Sequence, residues 1–185
     1  MIDDIIADAG ERMEKSLHSL EKAFNKIRTG RAHPGILDSV MVPYYGTDTP
    51  IQQVANITIE DSRTIAVTPW EKNMMSEIER AIMKSDLGLN PSNNGDVIRL
   101  PMPALTEETR KEYTRQAKQE AENGRIAVRN IRRDANTHTK DLLKEKEISE
   151  DEQRRAEEQV QKITDKHIAT VESSFQAKEA DLLSF

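Results

Sequence analysis

From Thr106 to about Lys146 apolar residues recur at steps of three and four, a pattern that one long α-helix satisfies and a strand does not. At 1.5 Å per residue the helix is a rod of roughly 60 Å. A rod of that length cannot cover its own apolar face, so it requires partners alongside it. Thr106 is placed to cap it, with Glu107 and Glu108 in the first turn, where the helix dipole favours acids. Two other stretches qualify as partners. Ile6, Ala9, Met13, Leu17, Leu20, Phe24 and Ile27 define one helix face, which Gly30 is expected to terminate. Ser149-Glu150-Asp151-Glu152 is a capping box that opens another helix, with Ala156, Val160, Ile163, Val171, Phe175 and Leu182 as its apolar series. Three long amphipathic segments make a three-helix bundle.

Residues 31–104 differ in character. Val40–Tyr44, Val54–Ile59, Thr64–Thr68 and Asp96–Leu100 have the β-branched composition of strands, with turns at Tyr45-Gly46-Thr47-Asp48 and Asn93-Asn94-Gly95-Asp96. Lys72–Ser85 is the one helix expected among them, with Met74, Met75, Ile78 and Ile82 on one side. Met74, Met75 and Met83 are expected beneath the small sheet, and Trp70 is expected to anchor its core. The first helix belongs with the last two, so the domains are 1–30 with 105–185 (bundle) and 31–104 (an inserted β/α/β domain). The fold class is α+β, with the insertion carried on two connecting strands. The candidate pivot comprises Gly30, Arg31, Pro101, Pro103, Ala104 and Leu105, with Gly30 supplying backbone freedom. A rigid corner stiffened by prolines is the competing reading of the same residues.

Charge is distributed unevenly. The 185-residue chain carries a net charge of −6, yet between Arg110 and Arg133 eight basic residues face three acidic ones. At about 100° per residue, Lys111, Arg115, Lys118, Arg125, Arg129, Arg132, Arg133 and Lys140 fall within roughly 60° of one line. The acids that would pair with this stripe look largely absent from the segment, so its arginines are expected to be unpaired. Guanidinium groups spaced one turn apart suit phosphate oxygens. Acidity overall argues against a general nucleic-acid coat and leaves a local basic surface aimed at one large polyanion. With no interleaved basic and aromatic signature, that surface reads backbone and shape more than sequence.

Other chemistries are poorly supported. There is no cysteine, hence no disulfide and no thiolate-held zinc. His18, His33, His138 and His167 fall in four different segments without ligand spacing, and His138 and His167 are expected as packing or bundle-edge residues. The glycines form no phosphate-cradling loop, and no nucleophile elbow is present. The chain reads as a protein without an active site or cofactor. No apolar run approaches the roughly 18 residues of a membrane span, and the N-terminus lacks a basic region followed by an apolar one, which reads as a cytosolic protein.

Six motifs in order, Ile27-Arg28-Thr29-Gly30-Arg31-Ala32, Tyr44-Tyr45-Gly46, Gln53-Val54-Ala55-Asn56-Ile57, Asn93-Asn94-Gly95-Asp96, Leu100-Pro101-Met102-Pro103 and Val128-Arg129-Asn130-Ile131-Arg132-Arg133-Asp134-Ala135-Asn136, resemble the bacterial ribosome recycling factor family over the whole chain. The resemblance implies an L-shaped, tRNA-sized monomer with a flexible two-strand hinge. It implies binding to the post-termination ribosome between its subunits. With the GTPase elongation factor G, subunits are then split and messenger and deacylated tRNA released. It assigns the large-subunit rRNA contact to Arg129 and Arg132, with Arg28, Arg31 and Arg110 in support; the stripe adds Arg125 and Arg133. Thr109 and Pro43 depart from the family pattern, Pro43 hinting at an edge strand. The competing functional classes are a helical protein-interaction scaffold or co-chaperone, and a metal-dependent enzyme within the small domain.

Overall fold

The computed structural model describes residues 1–184 and divides the chain into two compact units, Met1–Ile27 with Lys111–Ala180, and Arg28–Arg110 with the C-terminal residues from Asp181. All seven prolines lie between Pro34 and Pro103, so the long helices are free of residues that break the backbone ladder.

The first unit is built from helix α1 (Ile2–Asn25), most of α3 (Glu107–Lys144) and most of α4 (Glu150–Leu183). At 38 residues α3 spans about 57 Å. Ala9 and Met13 of α1, Val128, Ile131 and Ala135 of α3, and Val160 of α4 form one buried cluster, with Ile5, Ile6, Ile163 and Ile168 packed on it. The buried face of α3 is small-sided along Ala117, Ala121 and Gly124. A Cβ at Gly124 would stand 3.3 Å from Leu20 Cδ2, so the seam there is closed by contact with α1. Thr106 accepts the Thr109 N–H at 3.1 Å and caps α3 as expected. The helix ends in a Schellman arrangement: Glu147 N–H donates to Leu142 O at 2.9 Å and Lys146 N–H to Leu143 O at 3.0 Å. Lys146 occupies the left-handed position, φ 60°. Ser149 then accepts the Glu152 N–H at 3.1 Å and donates to Glu152 Oε1 at 3.2 Å, the capping box that starts α4. Gly30 does not terminate α1 directly, because the helix already ends at Asn25 and Lys26 remains right-handed; Gly30 lies beyond it with φ 79°.

The second unit holds a two-stranded hairpin, β1 (Met41–Tyr44) with β2 (Thr47–Pro50), and an antiparallel sheet ordered β3-β4-β6-β5. Its strands are β3 (Ala55–Asp61), β4 (Thr64–Pro69), β5 (Ser92–Asn93) and β6 (Ile98–Pro101). Helix α2 (Met75–Lys84) covers the core with Met75, Ile78 and Ile82, which pack among Leu37, Val42, Ile51, Ile65, Val67, Ile98 and Leu100. Three expectations fail here. Thr47 and Asp48, expected in the turn, open the strand Thr47–Pro50, and the turn shrinks to Tyr45-Gly46 with φ 48° and 84°, the two-residue geometry that matches strand twist. Trp70 is 63% exposed, because β4 ends at Pro69 and the next residue has left the sheet. Met83 is 64% exposed, so of the three methionines expected beneath the sheet Met74 and Met75 serve the core.

Tyr45 sits where asparagine or glycine is usual, and its hydroxyl donates to Glu71 Oε2 at 3.0 Å while Tyr44 donates to Oε1 at 2.9 Å. The Tyr44 hydroxyl consequently titrates above its ordinary value, chiefly through that hydrogen bond.

Both chain connections are fastened to the β3–β4 turn: Ala32 N–H donates to Ser62 O at 2.8 Å and Met102 N–H to Arg63 O at 2.6 Å. Pro101 stands opposite Thr64 in β6, so it belongs to the sheet and drops out of the loose pivot expected from sequence.

Candidate nucleic-acid interface

The α3 stripe is present, and the structure divides it. Taking Arg129 as the reference direction, Arg125 and Arg132 fall about 40° and 60° toward the buried line through Val128, while Arg133 falls about 40° to the other side. Exposure follows this order: Arg129, Arg133, Lys118 and Lys140 are exposed, and Arg125 and Arg132 are half-buried.

Arg125 overturns the expectation of unpaired arginines. Its Nε donates to Glu172 of α4 in a very short contact, and its Nη1 lies 2.7 Å from Glu122 Oε2. With its side chain only 20% exposed, it is a strut between helices whose charge is already shared with two carboxylates. The Glu172 carboxyl is held below the usual carboxylate range chiefly by the hydrogen bond from Arg125, which outweighs the opposing effect of burial, with smaller help from the charges of Arg125 and Arg129. Glu122 lies inside the stripe, one helical turn from Arg125 and two from Arg129, and also comes within 3.9 Å of Arg129 Nη1. Arg115 is occupied by Glu112 at 3.3 Å.

The remaining cations form a ridge. Among the described residues, the side chains of Lys118, Arg133 and Lys140 have no hydrogen-bond or ion-pair partner, and Arg129 has only its long contact to Glu122. Arg132 has no carboxylate partner; its Nη1 donates to Gln161 Oε1 at 2.9 Å, and its Nε is buried without a partner. These cations, lined up along one face, present charge to an extended polyanion with little to desolvate first.

The other arginines expected in the interface lie in the second unit. Arg28 Nη2 donates to the Asp86 carbonyl at 3.2 Å, and Arg31 Nη1 pairs with Asp181 Oδ1 at 3.4 Å. Arg110 is half-buried, and its N–H donates to Thr106 O at 2.9 Å.

His167 is buried as expected, Nδ1 2.6 Å from the Ile163 carbonyl oxygen and Nε2 3.0 Å from Glu14 Oε1. His138 is exposed. Among the described residues there is no cluster of three or more His, Cys, Asp or Glu able to hold a metal ion, and no helix long and apolar enough to cross a membrane.

A helical unit with an external cationic ridge, joined to a β/α/β unit and carrying no metal cluster among the described residues, has the makings of a binding factor for a large polyanion. A family model described as ribosome recycling factor matches residues 20–183, and the chain belongs to the ribosome recycling factor family. The ribosome-recycling factor of Marinomonas sp. (strain MWYL1) is 67% identical over 183 residues, covering 99% of each chain. That of Hahella chejuensis is 61% identical over 184 residues, covering 100% of each. Among solved structures, a solution structure of the ribosome recycling factor superposes with a TM-score of 0.82 at 36% identity, covering 100% of this chain and 98% of the other. A Thermus thermophilus ribosome recycling factor, in models with Escherichia coli elongation factor G bound to the E. coli post-termination complex, gives 0.73 at 46% identity with both chains fully covered.

Proposed function

We propose that this chain is a non-catalytic factor of the cytoplasm that, as a monomer, binds the post-termination ribosome in the intersubunit space and, with elongation factor G and GTP hydrolysis, splits the subunits and frees messenger and deacylated tRNA. The single observation that carries this reading is the ridge of remaining cations on α3, of which only Arg129 approaches a carboxylate, at 3.9 Å, among the described residues. Arg129, Arg132 and Arg133, with Lys118 and Lys140, grip large-subunit rRNA phosphates, while Arg28, Arg31 and Arg110 supply secondary contacts from the other unit. Arg125 is withdrawn from the contact set. Family membership and the solved relative seen with elongation factor G on a post-termination complex support the partners named.

The inserted unit, residues 31–104, receives the push from the GTPase. The pivot comprises Gly30 and Arg31 on one connection and Pro103, Ala104 and Leu105 on the other, because Ala32 and Met102 are already fixed to the sheet. Gly30 supports this role, since its φ of 79° is one that other residues adopt only with strain.

If about five phosphates are contacted, the logarithm of the affinity should fall with the logarithm of salt concentration at a slope of about −4. Arg132→Ala should weaken binding by roughly 1.5–3 kcal/mol, the range for hydrogen bonds to charged groups. The deciding experiment is sedimentation of the purified protein with model post-termination ribosomes, with and without elongation factor G and GTP. Subunit splitting that requires both proteins is expected. Splitting by neither, or salt-independent binding to ordinary protein partners, would favour a helical scaffold instead.

A further inference from the structure

Arg132 is steered by a residue of another helix. Its Nη1 donates to Gln161 Oε1 at 2.9 Å, and Gln161 Nε2 donates to Asp165 Oδ1, one turn further along α4, at 2.8 Å. The guanidinium offers only donors and the carboxylate only acceptors, so a single orientation of the amide satisfies both neighbours. Flipping it would set N–H against N–H and oxygen against oxygen. The amide therefore works as a one-way adaptor between a cation and an anion.

The adaptor separates the charges as well as connecting them. Among the described residues Arg132 makes no ion pair within 4 Å, unlike Arg125, whose contacts are carboxylates. Had a glutamate stood at the Gln161 position, the arginine would be neutralised by its own protein, as Arg125 is. With glutamine there, the side chain loses rotamer freedom and keeps its full charge. Nε is buried without a partner and one Nη1 hydrogen is used. The other three N–H groups remain for a ligand.

We infer that Gln161, itself held by Asp165, is a positioning residue that preorganises Arg132 for a phosphate of the rRNA without neutralising it. This rests on the proposed rRNA-binding role of Arg132 and adds to it a second residue with no ribosome contact of its own. Ordering one long side chain in advance spares a cost of about 0.5–1.5 kcal/mol on binding, equivalent to roughly a two- to twelve-fold change in affinity.

The test uses the full chain and ribosomes, with affinity measured by pelleting at several salt concentrations. Gln161→Met keeps the side chain's length and removes the acceptor. It is expected to weaken binding about three- to ten-fold with an unchanged salt slope, because the number of cations is unchanged. In an Arg132→Ala background the same change should have no further effect. Gln161→Glu, which retains an acceptor but adds a charge, is expected to weaken binding and make the slope shallower by nearly one contact. Melting temperature is followed for each variant; Asp165→Ala, which frees the amide without touching Arg132, replaces Gln161→Met if the latter unfolds. If Arg132→Ala weakens binding and Gln161→Met does not, or if the two losses add, the positioning role is refuted while the interface stands. If Arg132→Ala itself leaves binding unchanged, the interface assignment fails, and this inference with it.

Discussion

Replacing Arg125 by alanine separates the two kinds of arginine on α3. The guanidinium touches Glu122 and Glu172, whose side chains are 47% and 43% exposed. Fully exposed ion pairs are worth about 0.2–1 kcal/mol each, and this pair of contacts is only partly shielded from solvent, so the combined loss should be about 1–2 kcal/mol. That corresponds to a fall in melting temperature of about 4–16 °C for a helical unit of roughly 100 residues. Ribosome affinity should change by less than about twofold and the salt slope not at all, since the residue is not counted among the phosphate contacts.

The pH dependence supplies a second readout. Glu172 titrates below the ordinary glutamate value of about 4.3 because of Arg125. A carboxyl with a depressed folded-state value contributes fully above its unfolded value and loses that contribution as pH falls through the folded one. The stability difference between wild type and Arg125→Ala should thus be complete at neutral pH and shrink toward zero in acid, below about pH 4. Thermal melts at a series of pH values, paired with ribosome pelleting, provide both measurements. A variant that melts like wild type and yet loses ribosome binding as Arg129→Ala does would refute the division of the stripe.

Further outcomes are expected elsewhere. Arg133→Ala, which removes an exposed and unpartnered cation, should leave the melting temperature unchanged and reduce the steepness of the salt slope by about 0.7–0.9. Met13→Ala empties a fully buried position in the helical core, and denaturant unfolding should register a loss of about 2–5 kcal/mol. Ser149→Ala removes both hydrogen bonds of the α4 capping box, with an expected cost of about 0.5–2 kcal/mol and faster amide exchange at Glu152.

Legibility in the sequence varied with the range of the interaction concerned. The start of α3 at Thr106 and of α4 at Ser149 are set by side chains three residues from the groups they satisfy, and spacing exposes such signals. The helical core was legible for the same reason, since Ala9, Met13, Val128, Ile131 and Val160 repeat at helical intervals. Strand β2 was not, because Thr47–Pro50 has no apolar alternation and becomes a strand only by pairing with β1. The exposure of Trp70 depends on β4 ending one residue earlier, at Pro69.

The site divided similarly. The cationic line was readable from periodicity, and one of its neutralising acids, Glu122, belongs to the three acids of that segment and lies on the same line. The other, Glu172, reaches Arg125 across 47 residues of sequence, and Gln161 reaches Arg132 across 29. Neither spacing carries a local signal. Which arginines of a stripe stay available is decided by what the adjacent helix places opposite them.

The hydrogen bonds from Ala32 and Met102 end on neighbouring carbonyls, those of Ser62 and Arg63. Entry and exit of the inserted chain accordingly hang from one tight bend, which Asp61 Oδ1 braces by accepting the Arg63 N–H at 2.8 Å. Tension arriving along either connection is delivered to the same two peptide groups, and whatever displaces one connection drags the other. The two ends of the small sheet are thus tied to adjacent peptide groups of a single bend, which protects both from fraying independently.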